Sequence, residues 1–473
     1  MNLLFLLTDQ QRVDSLSCYG NDWIQTPHLN GLAEQSVVFD HTYVTQPVCS
    51  PARASLMTGL YPHTAGVPSC NVPLPSSSKT IAEHLAGSHR CAYYGKWHLG
   101  DEIFPQRGFD EWVGTEDSYR RFYSDEGRHR ILSDYHHFLV KNGLTPDSAS
   151  FGEPVFSRHF EASLDEPLTK ASYLADRATE FIRNVGDDPF VLFVSYLEPH
   201  PPHTGPLNDL YDPQSLPVSP TFRAAPPENA SLLNRVLSAY CSQSSEYGYD
   251  LRTDEGWRAV RARYWGNVTL VDRSVGRILQ ALTEAGLDDD TIVVFTSEHG
   301  EMAGDHGILG KCVLYEESVR VPLLVRSPDL KPGRTEGNIS QVDLLPTLLD
   351  MMEQPIPEHL QGESRLDAAR GEGTLRDNDV FIEWNGADGH PGQGEAEVNP
   401  EMAAPWRSVI SADRWKLNLS PIDQCELYDL NSDPYEMTNR YDDPLQRDRV
   451  GDLTRRIQAW QGNTRDTVAL PDP

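Results

Sequence analysis

Short apolar runs rich in β-branched and aromatic residues recur along this chain, and segments of helical periodicity separate them. The runs are Asn2–Thr8, Val37–Tyr43, Arg90–Tyr94, Phe190–Leu197, Thr291–Ser297 and Val321–Arg326. Strands that alternate with helices in this way belong to an α/β fold built on a large, mostly parallel sheet flanked by helices. Two of the helices follow from spacing alone. Leu174, Ala178, Phe181, Ile182 and Val185 share one face, and Val260, Tyr264, Val268, Val271, Val275, Ile278, Leu279 and Leu282 form a longer stripe. Residues 101–165 and 199–257 are polar and rich in Pro, Gly and Asp. They read as long excursions over the sheet edge, where substrate specificity is usually set.

After a predicted helix at Asp343–Met352 the pattern changes. A Gly/Asp/Glu-rich stretch (362–379) leads to Val380–Trp384, a Gly-rich loop (385–400), then Trp406–Leu419 and Cys425–Leu430. The later runs read as a small antiparallel sheet closed by a helix near Asp448–Trp460. The expected division is a large domain over residues 1–375 and a smaller C-terminal α+β subdomain over residues 376–473.

Composition narrows the function classes. The 473 residues include 40 Lys and Arg against 70 Asp and Glu, a formal charge of −30. That excess argues against non-specific partnership with nucleic acid or an anionic membrane. Only seven of the basic residues are lysine. No run of 18 apolar residues occurs, so no membrane span is expected. The N-terminus has no basic segment ahead of its apolar run, so it does not read as a signal peptide, and a cytoplasmic location is expected. Seven scattered cysteines without a C-x-x-C pair suit a reducing compartment. The N-x-[ST] matches at Asn229, Asn267, Asn338 and Asn418 read as chance.

In an open parallel sheet, ligands bind beyond the carboxyl ends of the strands. The first run ends in Asp9-Gln10 and the third in Gly95-Lys96-Trp97-His98. The fourth ends in Glu198-Pro199-His200 and the fifth in Glu298-His299-Gly300. Carboxylate, amide, imidazole and ammonium groups thus reach one edge, as a metal-assisted active site requires. The sharpest local pattern is C-x-P-x-R at Cys49-Ser50-Pro51-Ala52-Arg53, which this composition yields by chance roughly 0.04 times. Pro51 suits the first turn of a helix, so Cys49 falls at a helix N-terminus, where free N–H groups favour anions. The plainer alternative is a buried structural cysteine. Other signatures fail: Gly304 to Lys311 is one residue too long for a phosphate loop, and Cys312 replaces Ser/Thr. His129, His136 and His137 lie in a polar excursion and read as solvated.

In this order, the motifs resemble those of formylglycine-dependent sulfatases of the alkaline-phosphatase superfamily. The resemblance is carried by Thr8-Asp9-Gln10-Gln11-Arg12, Cys49-Ser50-Pro51-Ala52-Arg53 with Leu56-Met57-Thr58-Gly59, and Gly95-Lys96-Trp97-His98-Leu99-Gly100. It continues through Pro199-His200-Pro201-Pro202, Ser297-Glu298-His299-Gly300 and Gly307-Ile308-Leu309-Gly310-Lys311, and reaches the tail at Leu427-Tyr428-Asp429-Leu430. It implies an alkaline-phosphatase-like fold and a motif cysteine oxidised to an aldehyde by a formylglycine-generating enzyme, then hydrated to a geminal diol. One hydroxyl, activated by a divalent metal (usually calcium), attacks sulfur, and the other expels sulfate. Carried over by position, Asp9, Gln10, Glu298, His299 and the modified Cys49 hold the metal. Arg53, Lys96 and Lys311 neutralise charge. His98 takes a proton from the nucleophilic residue, and His200 protonates the leaving alcohol, with His203 as its stand-in. Asn71 lines the substrate pocket. The chain departs from the family at Glu298, where Asp is usual.

Two other readings stand beside the sulfate-ester hydrolase. One is a phosphonate monoester or phosphodiester hydrolase with the same nucleophile; its relatives tend to lack the Lys and His of the G-K-W-H stretch. The other is an inactive protein that binds sulfated glycans, with Glu298 as its lesion. The expected substrate is a small-molecule or carbohydrate sulfate ester. Carbohydrate, aryl and choline sulfates all remain open, and the chain is compatible with a homo-oligomer.

Overall fold

The computed structural model describes residues 1–386 and 403–471. Strand β1 (Asn2–Asp9) lies at the centre of a nine-stranded sheet, with every one of its residues buried. Numbered along the chain, the others are β2 (Val37–Tyr43), β3 (Arg90–Gly95), β4 (Glu111–Val113), β5 (Phe190–Pro199), β6 (Thr291–Ser297), β7 (Arg320–Val321), β8 (Leu323–Arg326) and β9 (Gly333–Ser340). β5 and β6 flank β1 in parallel, and β3 and β4 continue the parallel run beyond β5. Beyond β6 the direction reverses: β8 pairs antiparallel with both β6 and β2, and β9 runs parallel to β2 on the far edge.

The expected strand Val321–Arg326 is therefore two pieces, β7 and β8, interrupted at Pro322 and antiparallel to their neighbours. Proline has no N–H to give to a ladder, so the run breaks there. β1, β2, β3, β5 and β6 appear where the apolar runs lie, whereas β4 and the polar edge strand β9 fall outside them.

Because side chains alternate across a strand, β1 feeds two cores. Leu3, Phe5 and Leu7 meet α1 (Cys49–Thr58) through Ala54 and Met57, and a helix at Leu344–Met351 through Leu345 and Leu348. Leu4 and Leu6 meet α2 (Lys170–Asn184) through Leu174, Ala178 and Ile182, and α3 (Asp254–Glu284) through Val271, Val275 and Ile278. Each such side chain contributes about 1.5–3 kcal/mol on leaving water, so the central strand is anchored from both faces.

A second, four-stranded antiparallel sheet follows: β10 (Val380–Trp384), β11 (Trp406–Ile410), β12 (Trp415–Leu419) and β13 (Glu426–Asp429). Helix α4 (Arg447–Thr464) closes it with Leu453, Ile457 and Trp460 on Val409, Leu417 and Leu427. Its other face, with Val380, Ile382 and Ile410, packs on Tyr43, Val44 and Val321 of the large sheet. Most of the predicted Gly-rich loop at 385–400 lies outside the described residues.

All seven cysteines are unpaired. Among the described residues no helix is long and apolar enough to cross a membrane. Asn267, Asn338 and Asn418 are buried, which fits chance sequons. His136 departs from expectation: it is buried and packs on Phe156, with ring centroids 5.1 Å apart, while His137 is exposed.

Candidate active site

The parallel register pairs Thr8 with Ser297, so Asp9-Gln10 and Glu298-His299 leave the sheet side by side. Gln10 turns out of β1 with φ 70°, and the Tyr264 hydroxyl braces the turn by donating to the Gln10 carbonyl at 2.9 Å. The loop after β2 delivers Cys49 as the first residue of α1, whose ten residues are all buried. The Cys49 Sγ lies 3.3 Å from His299 Nε2, 3.3 Å from Lys311 Nζ and 4.0 Å from Asp9 Oδ1. His299 Nε2 is in turn 3.1 Å from Glu298 Oε1 and 3.5 Å from Asp9 Oδ1.

Asp9, Cys49, Glu298 and His299 thus present four ligand atoms within 4.8 Å of one another. Neither Glu298 oxygen accepts a hydrogen bond although the side chain is wholly buried; Oε2 lies against the Arg53 guanidinium and Oε1 faces the cluster. Burial, with Asp9 and Cys49 nearby, lifts the Glu298 carboxyl to about 7 despite Arg53. Two buried carboxylates beside an imidazole fit a hard divalent cation such as calcium. Gln10 stands at the edge of this group. Its Nε2 donates to Glu301, and its Oε1 accepts from Lys311 Nζ at 2.6 Å.

Three cations converge here. Lys96, at the end of β3 and fully buried, places Nζ 2.5 Å from Asp9 Oδ2 and 5.4 Å from the centroid of the Tyr119 ring. Arg53 Nη1 donates to the Lys96 carbonyl at 2.6 Å and Ser195 Oγ at 2.8 Å, while the buried Nη2 has no partner. Burial pushes the Asp9 carboxyl up and so does Cys49, but Lys96, His200 and Lys311 outweigh both and hold it well below the usual range. Burial likewise opposes ionisation of the Cys49 thiol. A hydrogen bond from Cys70 and the charges of Lys311 and Lys96 nevertheless bring it well below a normal thiol.

His98 sits in the left-handed region at φ 55°, its N–H and that of Trp97 donated to Glu102 at 2.6 and 2.9 Å. Its ring stacks on Tyr119 at 3.9 Å, and its Nε2 lies 3.0 Å from Asn71 Oδ1. Nδ1 has no partner. Burial, then Lys96, depresses His98 to about 4. It is a neutral imidazole with Nε2–H donated to Asn71 and a lone pair on Nδ1. His200 follows the end of β5 with Nδ1 2.8 Å from the Pro201 carbonyl; burial and Lys311 hold it well below the normal imidazole value. His203 is fully buried, with Nδ1 3.1 Å from the Pro199 carbonyl and Nε2 3.9 Å from Glu301 Oε2.

Sequence reasoning missed Glu301, Tyr119 and Glu102. Glu301 takes Gln10 together with the N–H groups of Ala303 and Gly310. Its nearness to Glu298-His299 in sequence was the only available signal. Tyr119 lies in a polar excursion with no periodicity to mark it.

The Sulfatase family pattern matches residues 1–354, and that of the N-sulphoglucosamine sulphohydrolase C-terminal region matches residues 304–463. The chain is 30% identical over 463 residues to an uncharacterized sulfatase, YidJ, of Escherichia coli (strain K12), covering 93% of this chain and 83% of that protein. It is 28% identical to a choline-sulfatase of Rhizobium meliloti (strain 1021), covering 94% of this chain and 83% of the relative. Among solved structures, a phosphonate monoester hydrolase of Agrobacterium radiobacter superposes with a TM-score of 0.76 at 28% identity, covering 98% of this chain and 96% of that one. A structure solved with its substrate D-glucosamine-2-N,6-O-disulfate gives a TM-score of 0.79 at 22% identity, covering 98% of each chain, and so shares the fold. Joined to a strand-end cluster of carboxylates, imidazoles and lysines around Cys49, these matches show that the chain is a sulfuric-ester hydrolase belonging to the sulfatase family of the alkaline-phosphatase superfamily.

Proposed function

We propose that the chain hydrolyses sulfate monoesters through Cys49 oxidised to formylglycine, with calcium as the divalent metal. The observation that carries this reading is a buried cysteine 3.3 Å from Lys311 Nζ, set beside carboxylates that Lys96 and Arg53 hold, Asp9 and Glu298, in an oxygen-rich donor set. The hydrated aldehyde supplies a nucleophilic hydroxyl and a second hydroxyl for release of sulfate. Asp9, Glu298, His299 and residue 49, with Gln10 beside them, would hold calcium, which would supply Lewis-acid activation and charge.

The chain's own groups do the rest. Lys311 Nζ and the free Nη2 of Arg53 bind sulfate oxygens, and Lys96 keeps Asp9 ionised. His98 receives a proton at Nδ1, the nitrogen that Asn71 leaves free. His200, with Nδ1–H anchored on the Pro201 carbonyl, passes a proton from Nε2 to the departing alcohol. Burial and, after it, the Lys311 charge hold this imidazole well below its normal value, and bound sulfate offsets the second of these. Asn71 orients His98, and His203 is the stand-in for His200. Residues 1–375 form the catalytic unit in this proposal, and residues 376–473 brace the edge of its sheet. The carbohydrate in the disulfated ligand of the structural neighbour makes a sulfated sugar the favoured substrate class. Seven unpaired cysteines favour a cytoplasmic location.

The test is to compare kcat/KM for an aryl sulfate and an aryl phosphonate monoester. Sulfate should win. A tenfold preference for the phosphonate would move the assignment to the phosphonate hydrolases.

A further inference from the structure

Most of the groups gathered around Cys49 are buried, but Asn71, Tyr119, His200 and Lys311 are half-buried, so the site meets solvent along these four. Tyr247 approaches this opening from the long excursion over the sheet edge. It tips a short hairpin in which Ser245–Glu246 pairs with Tyr249–Asp250. The Tyr249 hydroxyl ties the hairpin to the site by donating to the His203 carbonyl, and Arg263 Nη1 donates to the same hydroxyl at 3.2 Å. The tip then sets the Tyr247 ring edge-on to the buried His203 imidazole, with centroids 6.3 Å apart.

The Tyr247 hydroxyl lies in the field of the site. Partial burial lifts it above the ordinary phenol value and Lys311 opposes the rise; Glu246 and Glu301 add to it, and Arg158 opposes it again. Lys311 is the cation 3.3 Å from Cys49 Sγ, and Arg158 Nη2 donates to the Tyr119 hydroxyl at 3.0 Å. Tyr247 therefore belongs to the rim on which Lys311 and Tyr119 also lie, yet 45% of its surface stays exposed.

The backbone at this tip is not one that tyrosine favours. The hairpin turns through two residues, Tyr247 and Gly248, with φ of 50° and 86°. Such a turn needs the left-handed region at both positions, which glycine enters freely and asparagine tolerates, whereas a bulky side chain is strained there. Asn-Gly is the pair that this turn prefers, so tyrosine at 247 lowers the stability of the fold. With nearly half of its surface in water, the ring does not recover that loss as part of a core. Strain held in place at the rim of a site points to a function there.

We propose that Tyr247 is a specificity-determining residue, whose exposed ring packs against the alcohol portion of the ester where that portion is a flat ring. An aromatic face offers contact area without a directional bond, so it selects ring-bearing alcohols and leaves the sulfate end untouched. The proposal rests on the sulfate-ester hydrolase reading, and its test keeps the two apart. Wild type, Tyr247→Asn and Tyr247→Phe are compared by kcat and KM for para-nitrophenyl sulfate, by inhibition with inorganic sulfate, and by calorimetric binding of the ester. Tyr247→Asn should raise KM and weaken ester binding by about fivefold or more, with kcat and the inhibition constant of sulfate within about twofold of wild type. Its thermal midpoint should hold or rise, because Asn-Gly suits the turn. Tyr247→Phe keeps the ring face and should stay within about twofold throughout. A KM and an ester affinity within about twofold of wild type in Tyr247→Asn would overturn the proposal. Equal weakening of ester and inorganic sulfate, or a lowered midpoint, would overturn it too, by marking a structural role. Should wild type bind the ester without turning it over, the hydrolase reading fails, and weaker ester binding in Tyr247→Asn still supports the ring contact.

Discussion

The Asn71 carboxamide oxygen lies 3.0 Å from His98 Nε2, and this contact decides which nitrogen of the imidazole is free. With Nε2–H donated to Asn71, the lone pair is left on Nδ1, which has no other partner. Tyr119 fixes the ring from the side by stacking at 3.9 Å. Asn71 is itself tied down through its N–H to Ser50 Oγ at 3.1 Å, in the turn of helix that begins at Cys49. The proposed base, His98, and the proposed nucleophilic residue, Cys49, are thereby referenced to one another.

Asn71→Asp is therefore expected to change the pH profile rather than the fold. Burial and Lys96 hold His98 at about 4, so the acid limb of kcat/KM should lie below the ordinary imidazole range. A carboxylate beside Nε2–H stabilises the charged imidazolium and raises that value, so activity should be lost at higher pH than in wild type. An acid limb that does not move would show that His98 is not the base. Asn71→Ala should lower kcat by about tenfold or more through loss of the tautomer, with KM less affected.

Cys49→Ala should abolish turnover. The side chain is buried at the start of α1 rather than near the surface, yet it is small, and its deletion should shift the thermal midpoint by only a few degrees. Mass spectrometry of the peptide containing residue 49 should show the aldehyde in active wild-type protein. Turnover within tenfold of wild type in the alanine variant would remove the formylglycine reading.

Much of this site was legible because a parallel sheet places its strand ends together. Asp9, Lys96, His200 and Glu298 could be read as neighbours once their strands were recognised as apolar runs. What escaped has physical reasons. Strand direction leaves no mark on composition, so the antiparallel β8 could not be told from a parallel strand, and the break at Pro322 was overlooked. Glu301 and Glu102 are buried carboxylates in a chain with 70 acidic residues, where no local pattern separates a structural acceptor from a solvated one. Tyr119 reaches His98 from a segment held by scattered polar contacts. His136 read as solvated from its polar neighbours, but the face it shares with Tyr135 and Leu139 on the helix Asp134–Lys141 is buried.

A stability prediction comes from the C-terminal region. Arg407 on β11 holds Asp466 through Nε at 2.7 Å and Nη2 at 2.8 Å, with side chains 1% and 3% exposed. Burial opposes ionisation of Asp466, but the Arg407 bonds outweigh it and keep the carboxyl below its usual value. A folded-state value below the unfolded one contributes stability above about pH 4 and loses it as pH falls through the folded value. Asp466→Asn should destabilise by about 3–5 kcal/mol at neutral pH, because it leaves a buried guanidinium without its anion. The gap to wild type in urea melts should narrow in acid. Equal midpoints at pH 7 would show that the clamp contributes little.

Glu298 stands where the resemblance leads one to expect Asp, and its geometry gives a direct test. The side chain is long enough to rest one oxygen against Arg53 and turn the other to His299, within the group formed by Asp9, Cys49 and His299. A single oxygen therefore remains for a cation, where a shorter Asp could present its carboxylate without contact to Arg53. Burial, and after it the nearby Asp9 and Cys49, lift Glu298 to about 7 against the pull of Arg53. Calcium should relieve this and stabilise the native state by mass action, worth about 2.7 kcal/mol at a hundredfold excess over Kd. Thermal melts should accordingly move upward with calcium and fall with a chelator. Glu298→Asp should keep that shift, whereas Glu298→Ala should lose it together with activity. A calcium-dependent shift of full size in Glu298→Ala would exclude Glu298 from the metal site, whatever the activity of the variant.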